Sequence, residues 1–397
     1  MWFRTILAAT LEIMVNAVRD YTGARRNSRR VLHVSETSVS DLDPVQAPEK
    51  PPGSIAERQY PPDSPLIDVS PAGLLDLLRV RRLDATFWLN QPENALNRAP
   101  APASPLEAAV RWSDLRPTVL VAYEESRLAG FAEFRPVPPD LRWQLIAIGV
   151  SGDRDNPLDV WIPILDMGTR TAGAAGVKRL YARAPESTPI GDALCSAGYA
   201  AYANELIFVA DAPVARTSGI EARGQERTDT WAVHQLYNSS VPKEVLHAEA
   251  FTSHRWELPK GRMRYGKSTR AWIAEENQVP VAYIRCTSIQ RRHVLDVMFG
   301  PGHVENAAGL IDEVLLKLNS EGSISQMYCA VRGYGMELER VLLERNFSPW
   351  LSQDLFVRYT TAPLRVTTAE MVFADAEAVE RARRRVPAYL ASAENND

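Results

Sequence analysis

Thr118-Val-Leu-Val-Ala-Tyr-Glu-Glu-Ser-Arg-Leu-Ala-Gly-Phe-Ala-Glu-Phe134 decides the architecture, because its layout occurs twice. β-Branched and alternating apolar residues predict two strands, and Glu124 to Gly130 predict the turn between them. Arg270-Ala-Trp-Ile-Ala-Glu-Glu-Asn-Gln-Val-Pro-Val-Ala-Tyr-Ile-Arg285 repeats the layout, and Glu275-Glu276 answer Glu124-Glu125 at an offset of 151. Repetition on this scale sets the folding unit before any single element is placed.

The order of elements on either side repeats as well. A third strand, Arg142 to Val150, matches His293 to Phe299. Helical patterns follow at Leu158 to Ala175 and Val304 to Leu318; in the second, Ala308, Leu310, Ile311, Val314, Leu315 and Leu318 share one face. Next come strands at Arg179–Arg183 and Gln326–Val331, then helices at Ile190–Ala197 and Met336–Arg345. Gly198-Tyr199 and Asn346-Phe347 close those helices at an offset of 148, and final strands follow at Glu205–Val209 and Asp354–Arg358. The chain therefore reads as two copies of one α+β domain, each a mixed, mostly antiparallel sheet flanked by helices. They span residues 66–213 and 218–365, joined near Ala212–Arg223, where Pro213 and Gly219 interrupt regular structure.

Composition excludes several classes. The 397 residues carry 45 Lys and Arg against 49 Asp and Glu, a net charge of −4, so no strongly basic nucleic-acid-binding domain is present. Hydrophobic residues make up 45%, enough for ordinary cores. Three scattered cysteines, Cys195, Cys286 and Cys329, suit neither a disulfide framework nor a zinc site and point to a reducing, cytoplasmic compartment. No run of 18 uncharged apolar residues predicts a membrane span. Residues 1–30 read as an amphipathic helix (Trp2, Ile6, Leu7, Leu11, Val15, Val18) followed by the basic run Arg25 to Arg30. Such a segment packs on the protein or makes weak contact with an anionic membrane surface. Seven prolines between Pro44 and Pro65 make residues 31–65 a linker without helix or sheet. Residues 366–397 form a tail with a short basic helix over Ala374–Arg385.

In this order of elements each half resembles the GCN5-related N-acetyltransferase (GNAT) family. The helix that ends in Gly198-Tyr199, and its counterpart at Asn346-Phe347, match the family's C-terminal signature. The resemblance implies early helices at Pro71–Arg82 and Pro105–Leu115, and at Asp229–Ser240 and Lys243–Trp256. It also implies transfer of an acetyl or other acyl group from acyl-CoA to an amine, either a small molecule or a protein N-terminus or lysine. The family holds the coenzyme pyrophosphate on a Gln/Arg-x-x-Gly-x-Gly/Ala loop before its central helix, where backbone N–H groups point at the anion. Neither half has that loop intact. The first reads Val150-Ser-Gly152-Asp-Arg154-Asp, with two carboxylates against a pyrophosphate; the second reads Phe299-Gly300-Pro301-Gly302-His303-Val-Glu305, where Pro301 removes a donor. Losing two hydrogen bonds to a charged group costs about 3–6 kcal/mol, or roughly a hundred- to ten-thousand-fold in affinity. The candidate coenzyme contacts are thus Val150, Gly152 and Arg154 in one half and Phe299, Gly300, Gly302 and His303 in the other; the two glycines favour the second.

The resemblance places a tyrosine acid four residues before the Gly-aromatic pair, and those positions hold Leu194 and Leu342. Tyr334, at the start of the last helix, is the candidate substitute, and Asp296, unusual in mid-strand, is the candidate general base. The bland alternatives are a packing tyrosine and a solvent-facing aspartate. At the level of function the alternative to an acyltransferase with at most one competent half is a catalytically inactive tandem protein that binds a ligand or a protein partner. Acyl-CoA binding separates the two. Two copies in one chain replace a homodimer, so a monomer is expected.

Overall fold

In the computed structural model the thirteen strands of the described residues join one sheet. The structure describes residues 67–83, 85–96, 117–137, 142–152, 154, 156–216, 219–259, 267–322 and 324–360. The segments 1–30 and 31–65, the helix expected at Pro105–Leu115, and the tail 366–397 lie outside the described residues.

The first half runs β1 (Ile67–Pro71), α1 (Leu74–Val80), β2 (Ala85–Trp88), α2 (Glu93–Leu96), β3 (Thr118–Glu124), β4 (Arg127–Pro136), β5 (Arg142–Val150), α3 (Leu158–Ala174), β6 (Arg179–Pro185), α4 (Pro189–Ser196) and β7 (Ala200–Ala210). The second runs β8 (Ala222–Gly224), α5 (Thr230–Ser240), α6 (Lys243–Glu249), a 3₁₀ turn at Ser253–Trp256, β9 (Lys267–Glu276), β10 (Val279–Ile289), β11 (Arg292–Phe299), α7 (Val304–Glu321), β12 (Gln326–Arg332), α8 (Glu337–Leu343) and β13 (Ser348–Tyr359). The turn expected across Glu124–Gly130 is only two residues. Glu125 and Ser126 both have positive φ, as do Asn277 and Gln278 in the second half. Two such residues make the tight turn whose twist matches that of the flanking strands, so β4 begins three residues before Gly130.

The apolar runs reflect a sheet covered on both faces. Along β3, Leu120 and Ala122 pack with the α3–α4 layer, while Val119 and Val121 pack with Leu77 and Val80 of α1. In the second half the α7–α8 layer and the α5–α6 layer cover β9–β11 in the same way. Both last helices end on a left-handed residue, Gly198 (φ 77°) and Asn346 (φ 63°). There Tyr199 N–H donates back to Leu194 O and Phe347 N–H to Leu342 O. The paired motif is a helix stop, and Leu194 and Leu342 are fully buried core.

The two halves are not closed separately. The sheet order is β1-β3-β4-β5-β6-β13-β7-β12-β11-β10-β9-β8, with β2 added on β5. Each half ends with its expected last strand, but the two strands pair across the repeat: β13 pairs with β6 of the first half, and β7 pairs with β12 of the second. The exchange buries Glu205 and Gln353 at the centre of the sheet, where Gln353 Nε2 donates to Glu205 Oε1 and to Gln91 O.

Candidate functional site

Each half contains a parallel strand pair that comes apart. β5 and β6 are paired only over Arg142–Gln144 and Arg179–Tyr181, yet they continue to Val150 and Pro185. β11 and β12 are paired only over Arg292–Leu295 and Gln326–Cys329, yet they continue to Phe299 and Arg332. Beyond each fork, backbone N–H and C=O groups lose their ladder and need other partners.

In the first half the chain supplies those partners itself. β2 lies antiparallel along the free edge of β5, with Trp88 opposite Ala147 and Ala85 opposite Val150. Leu89 N–H then donates to Ile146 O, and Asn90 N–H to Arg183 O. The Asn90 carboxamide sits in the fork. Its Nδ2 donates to Leu145 O, and its Oδ1 accepts from Gln144 Nε2 (2.7 Å) and from Arg183 N–H (3.1 Å). Asn90 is 2% exposed, so a side-chain amide completes the ladder where two strands part.

No strand of the described residues lines the fork of the second half, and a cavity of about 330 Å³ occupies it. Its floor is β11 from Val294 to Phe299 and β12 from Ala330 to Arg332. One wall is aromatic: Tyr237 of α5 lies 5.3 Å from Trp256 and 5.4 Å from Phe251, and Trp256 lies edge-on to Tyr283. Another part of the lining belongs to the first half. Pro92 and Glu93 follow the plug that β2 and Asn90 form in the first fork, and Arg183 and Glu205 arrive on β6 and β7. The cavity therefore requires both halves of the chain.

The cavity charges are mostly paired. Arg183 Nη1 lies 2.9 Å from Glu93 Oε1 and 3.6 Å from Glu205. Burial alone would lower the Arg183 pKa, but those two carboxylates outweigh it and hold the pKa above its ordinary value. Arg332 bridges Glu205 (2.8 Å) and Glu249 (3.2 Å), and Tyr237 donates to Glu249 at 2.7 Å. The Arg332 Nη1 is buried without a hydrogen-bond partner among the described residues.

The structure gathers five of the expected residues at this one place. Asp296, Tyr334, Phe299, Gly300 and Gly302 all line the cavity. Asp296 is exposed to it from mid-strand, opposite Arg285 of β10. Tyr334 is 42% exposed, yet its surroundings desolvate the phenol and raise its pKa. Gly302 has φ 78° with open space around its α-carbon, so the backbone there can be approached closely. Gly300 fits its expected role less well, because its N–H already donates to Val281 O. His303 stands at the start of α7 beside the cavity, 3.4 Å from Asn306 and 3.7 Å from Glu276. The three candidates of the first half lie elsewhere. Val150 is paired to both β4 and β2, Gly152 follows it, and the Arg154 guanidinium is bound to Glu124. Sequence reasoning missed Arg255, Glu249 and Tyr237 on the α5–α6 wall. It also missed the first-half residues, which only the strand exchange brings here.

Neither a protein-family model nor a curated protein matches this chain. Among solved structures, a GCN5-related N-acetyltransferase from Sphaerobacter thermophilus is 13% identical, with a TM-score of 0.47 over 76% of this chain and 97% of that one. A tandem GNAT protein from the clavulanic acid biosynthesis pathway is 12% identical, with a TM-score of 0.43 over 75% of this chain and 99% of that one. A GCN5-related N-acetyltransferase from Kribbella flavida is 14% identical, with a TM-score of 0.42 over 60% and 90%.

Proposed function

We propose that the chain is a tandem GNAT-like N-acyltransferase with one working cleft, the cavity of its second half, which takes acetyl-CoA or another acyl-CoA and an amine. The observation that carries this reading is the contrast between the forks: the first is filled by β2, and the second holds no strand of the described residues and is lined by Asp296, Tyr334 and the Phe299–Gly302 loop. The site fits an acyl-CoA along its pantetheine arm, because among the described residues the β12-facing edge of β11 over 296–299 has no strand partner and Arg332 Nη1 has no acceptor. At the pyrophosphate end the donors are the first N–H groups of α7, which no earlier turn can occupy. The Glu305 carboxylate nearby faces Arg340 at 3.5 Å, which lessens its repulsion of an anion.

A bound acyl-CoA supplies a thioester whose C–S bond breaks as the C–N bond to the amine forms. Asp296 takes the proton that the amine sheds. Tyr334 donates a hydrogen bond toward the departing sulfur. Its raised pKa lies above the roughly 8.5 of a thiol, so full proton transfer is uphill by about 1.4 kcal/mol per unit of difference. The sulfur therefore leaves hydrogen-bonded and gains its proton from solvent. Trp256, Phe251 and Tyr237 exclude bulk water from one side, which strengthens both interactions.

Two matched substitutions test this reading. Gly302 and Gly152 both have positive φ (78° and 71°) and open surroundings, and Asp tolerates that conformation better than most residues. Calorimetry with the full chain should show acetyl-CoA binding that Gly302→Asp weakens at least tenfold and Gly152→Asp changes by less than twofold. Absence of wild-type binding up to millimolar coenzyme sinks the enzyme reading. A larger effect at Gly152 moves the site to the first half.

A further inference from the structure

The charges that line the cavity are not all accounted for by one another. Arg183 and Arg332 are held by Glu93, Glu205 and Glu249. Arg255 is not: its guanidinium makes no hydrogen bond or ion pair with any described residue and rests on the Phe251 ring, 5.1 Å from its centroid. The same ring carries a second cation, Arg142, at 4.6 Å. Arg285 approaches from β10, where its Nη2 donates to the Arg255 carbonyl at 2.9 Å. Arg255 and Phe251 line the cavity, and Arg142 and Arg285 add positive charge behind them. Burial lowers the Arg255 pKa, and repulsion from Arg285 lowers it further, while Asp296 opposes both. Arginine nonetheless stays charged, and a guanidinium on a cavity wall without a carboxylate partner among the described residues is suited to an anion. Lys267 adds to the positive field here; burial lowers its pKa, Glu93 pulls it back up, and Arg255 pushes it down again.

We infer that the acceptor amine carries a carboxylate, and that Arg255 binds that carboxylate while Asp296 faces the amino group. This rests on the acyltransferase reading and narrows its substrate class to small amino-acid-like amines. A guanidinium offers a planar fork that matches a carboxylate in two parallel hydrogen bonds, and desolvation over Phe251 strengthens them. The two poles of the substrate would then be read by opposite charges, Arg255 and Asp296, which line the same cavity. The volume of about 330 Å³ is at the small end for a ligand site, so little room remains for a long acceptor beside an acyl-pantetheine arm.

Reaction products provide a test that does not depend on turnover. Calorimetry on the full chain, with and without coenzyme A, compares N-acetylglycine and N-acetylphenylalanine with their primary carboxamides, and with N-acetylspermidine. The carboxylates should bind at least tenfold more tightly than the carboxamides. Arg255→Gln should erase that preference, and Arg255→Lys should keep part of it, since lysine retains the charge but not the fork. Thermal unfolding of each variant checks that it is folded. Equal binding of carboxylate and carboxamide, no binding of either up to 10 mM (on the order of the weakest useful ligand affinities), or preference for the spermidine derivative overturns the assignment. If coenzyme A fails to bind but the carboxylates still show an Arg255-dependent preference, the acyl-CoA reading falls and the anion site stands.

Discussion

The two forks have the same strand order and opposite contents. Beyond Gln144 the first is packed with β2 and the Asn90 carboxamide; beyond Leu295 the second holds a cavity. Both answers obey one constraint: backbone groups exposed by diverging strands must find partners. A half that answers with its own chain gains stability and loses a binding groove. A half that leaves the groups open keeps them for a ligand. One short segment serves both ends, since the residues after the plug, Pro92 and Glu93, wall the open cavity.

This contrast can be broken at several points. The largest expected effect is on catalysis: Asp296→Asn should lower kcat by about 10²–10⁴, the usual worth of a general base, with acetyl-CoA affinity unchanged. A loss of less than tenfold in steady-state assays would take the base role away from Asp296. Next is the plug. Asn90→Ala leaves Leu145 O and Arg183 N–H buried without partners and should cost about 3 kcal/mol in denaturant unfolding. If stability is unchanged, the filled fork is not what holds the first half together. If the variant takes up a second equivalent of acetyl-CoA, the plug was all that separated the halves.

A third prediction compares the second rungs of the two paired stretches, Trp143 in β5 and His293 in β11. His293 is 6% exposed, with Ser288 Oγ 2.8 Å from its Nδ1. Burial pushes its pKa down to about 4, and the positive charge of Arg270 adds to the shift. Above pH ~6.5 the ring is neutral in both the folded and the unfolded chain. As pH falls from there toward 4, the unfolded chain binds a proton that the folded chain refuses. Stability therefore drops, by about 3 kcal/mol over that window. His293→Gln should flatten this part of the pH–stability curve, whereas Trp143 has nothing to titrate. The smallest effect belongs to Arg154→Ala. Its pair with Glu124 is partly exposed and worth less than about 1 kcal/mol, and acetyl-CoA affinity should not change. A fall in affinity would put the first loop back into use.

Much of this was legible in the chain. The hairpins, the central helices and the Gly198 and Asn346 stops follow from local patterning. Asp296 stood out because a carboxylate in mid-strand is costly unless it faces water or a ligand. The fork plug was not legible, since Ala85-Thr-Phe-Trp88 is four residues with no periodicity to mark it. Arg255 was not legible either; one arginine after a short helix carries no sign of whether a carboxylate will meet it. The Phe299–Gly302 loop was read as a weak phosphate cradle, and Gly300 shows one reason: its N–H is spent on Val281.

By itself the sequence determined the repeated unit, its order of strands and helices, and where the helices stop. Those depend on residue spacing, turn conformation and burial within a few tens of positions. Only the tertiary structure decided that β7 and β13 pair across the halves, that one fork is filled and the other holds a cavity, and that Glu93, Arg183 and Glu205 line that cavity together with Asp296. Strand edges are chemically alike, so local sequence does not name a strand's partner. That choice is made when side chains distant in sequence, such as Glu205 and Gln353, are buried together and must satisfy each other.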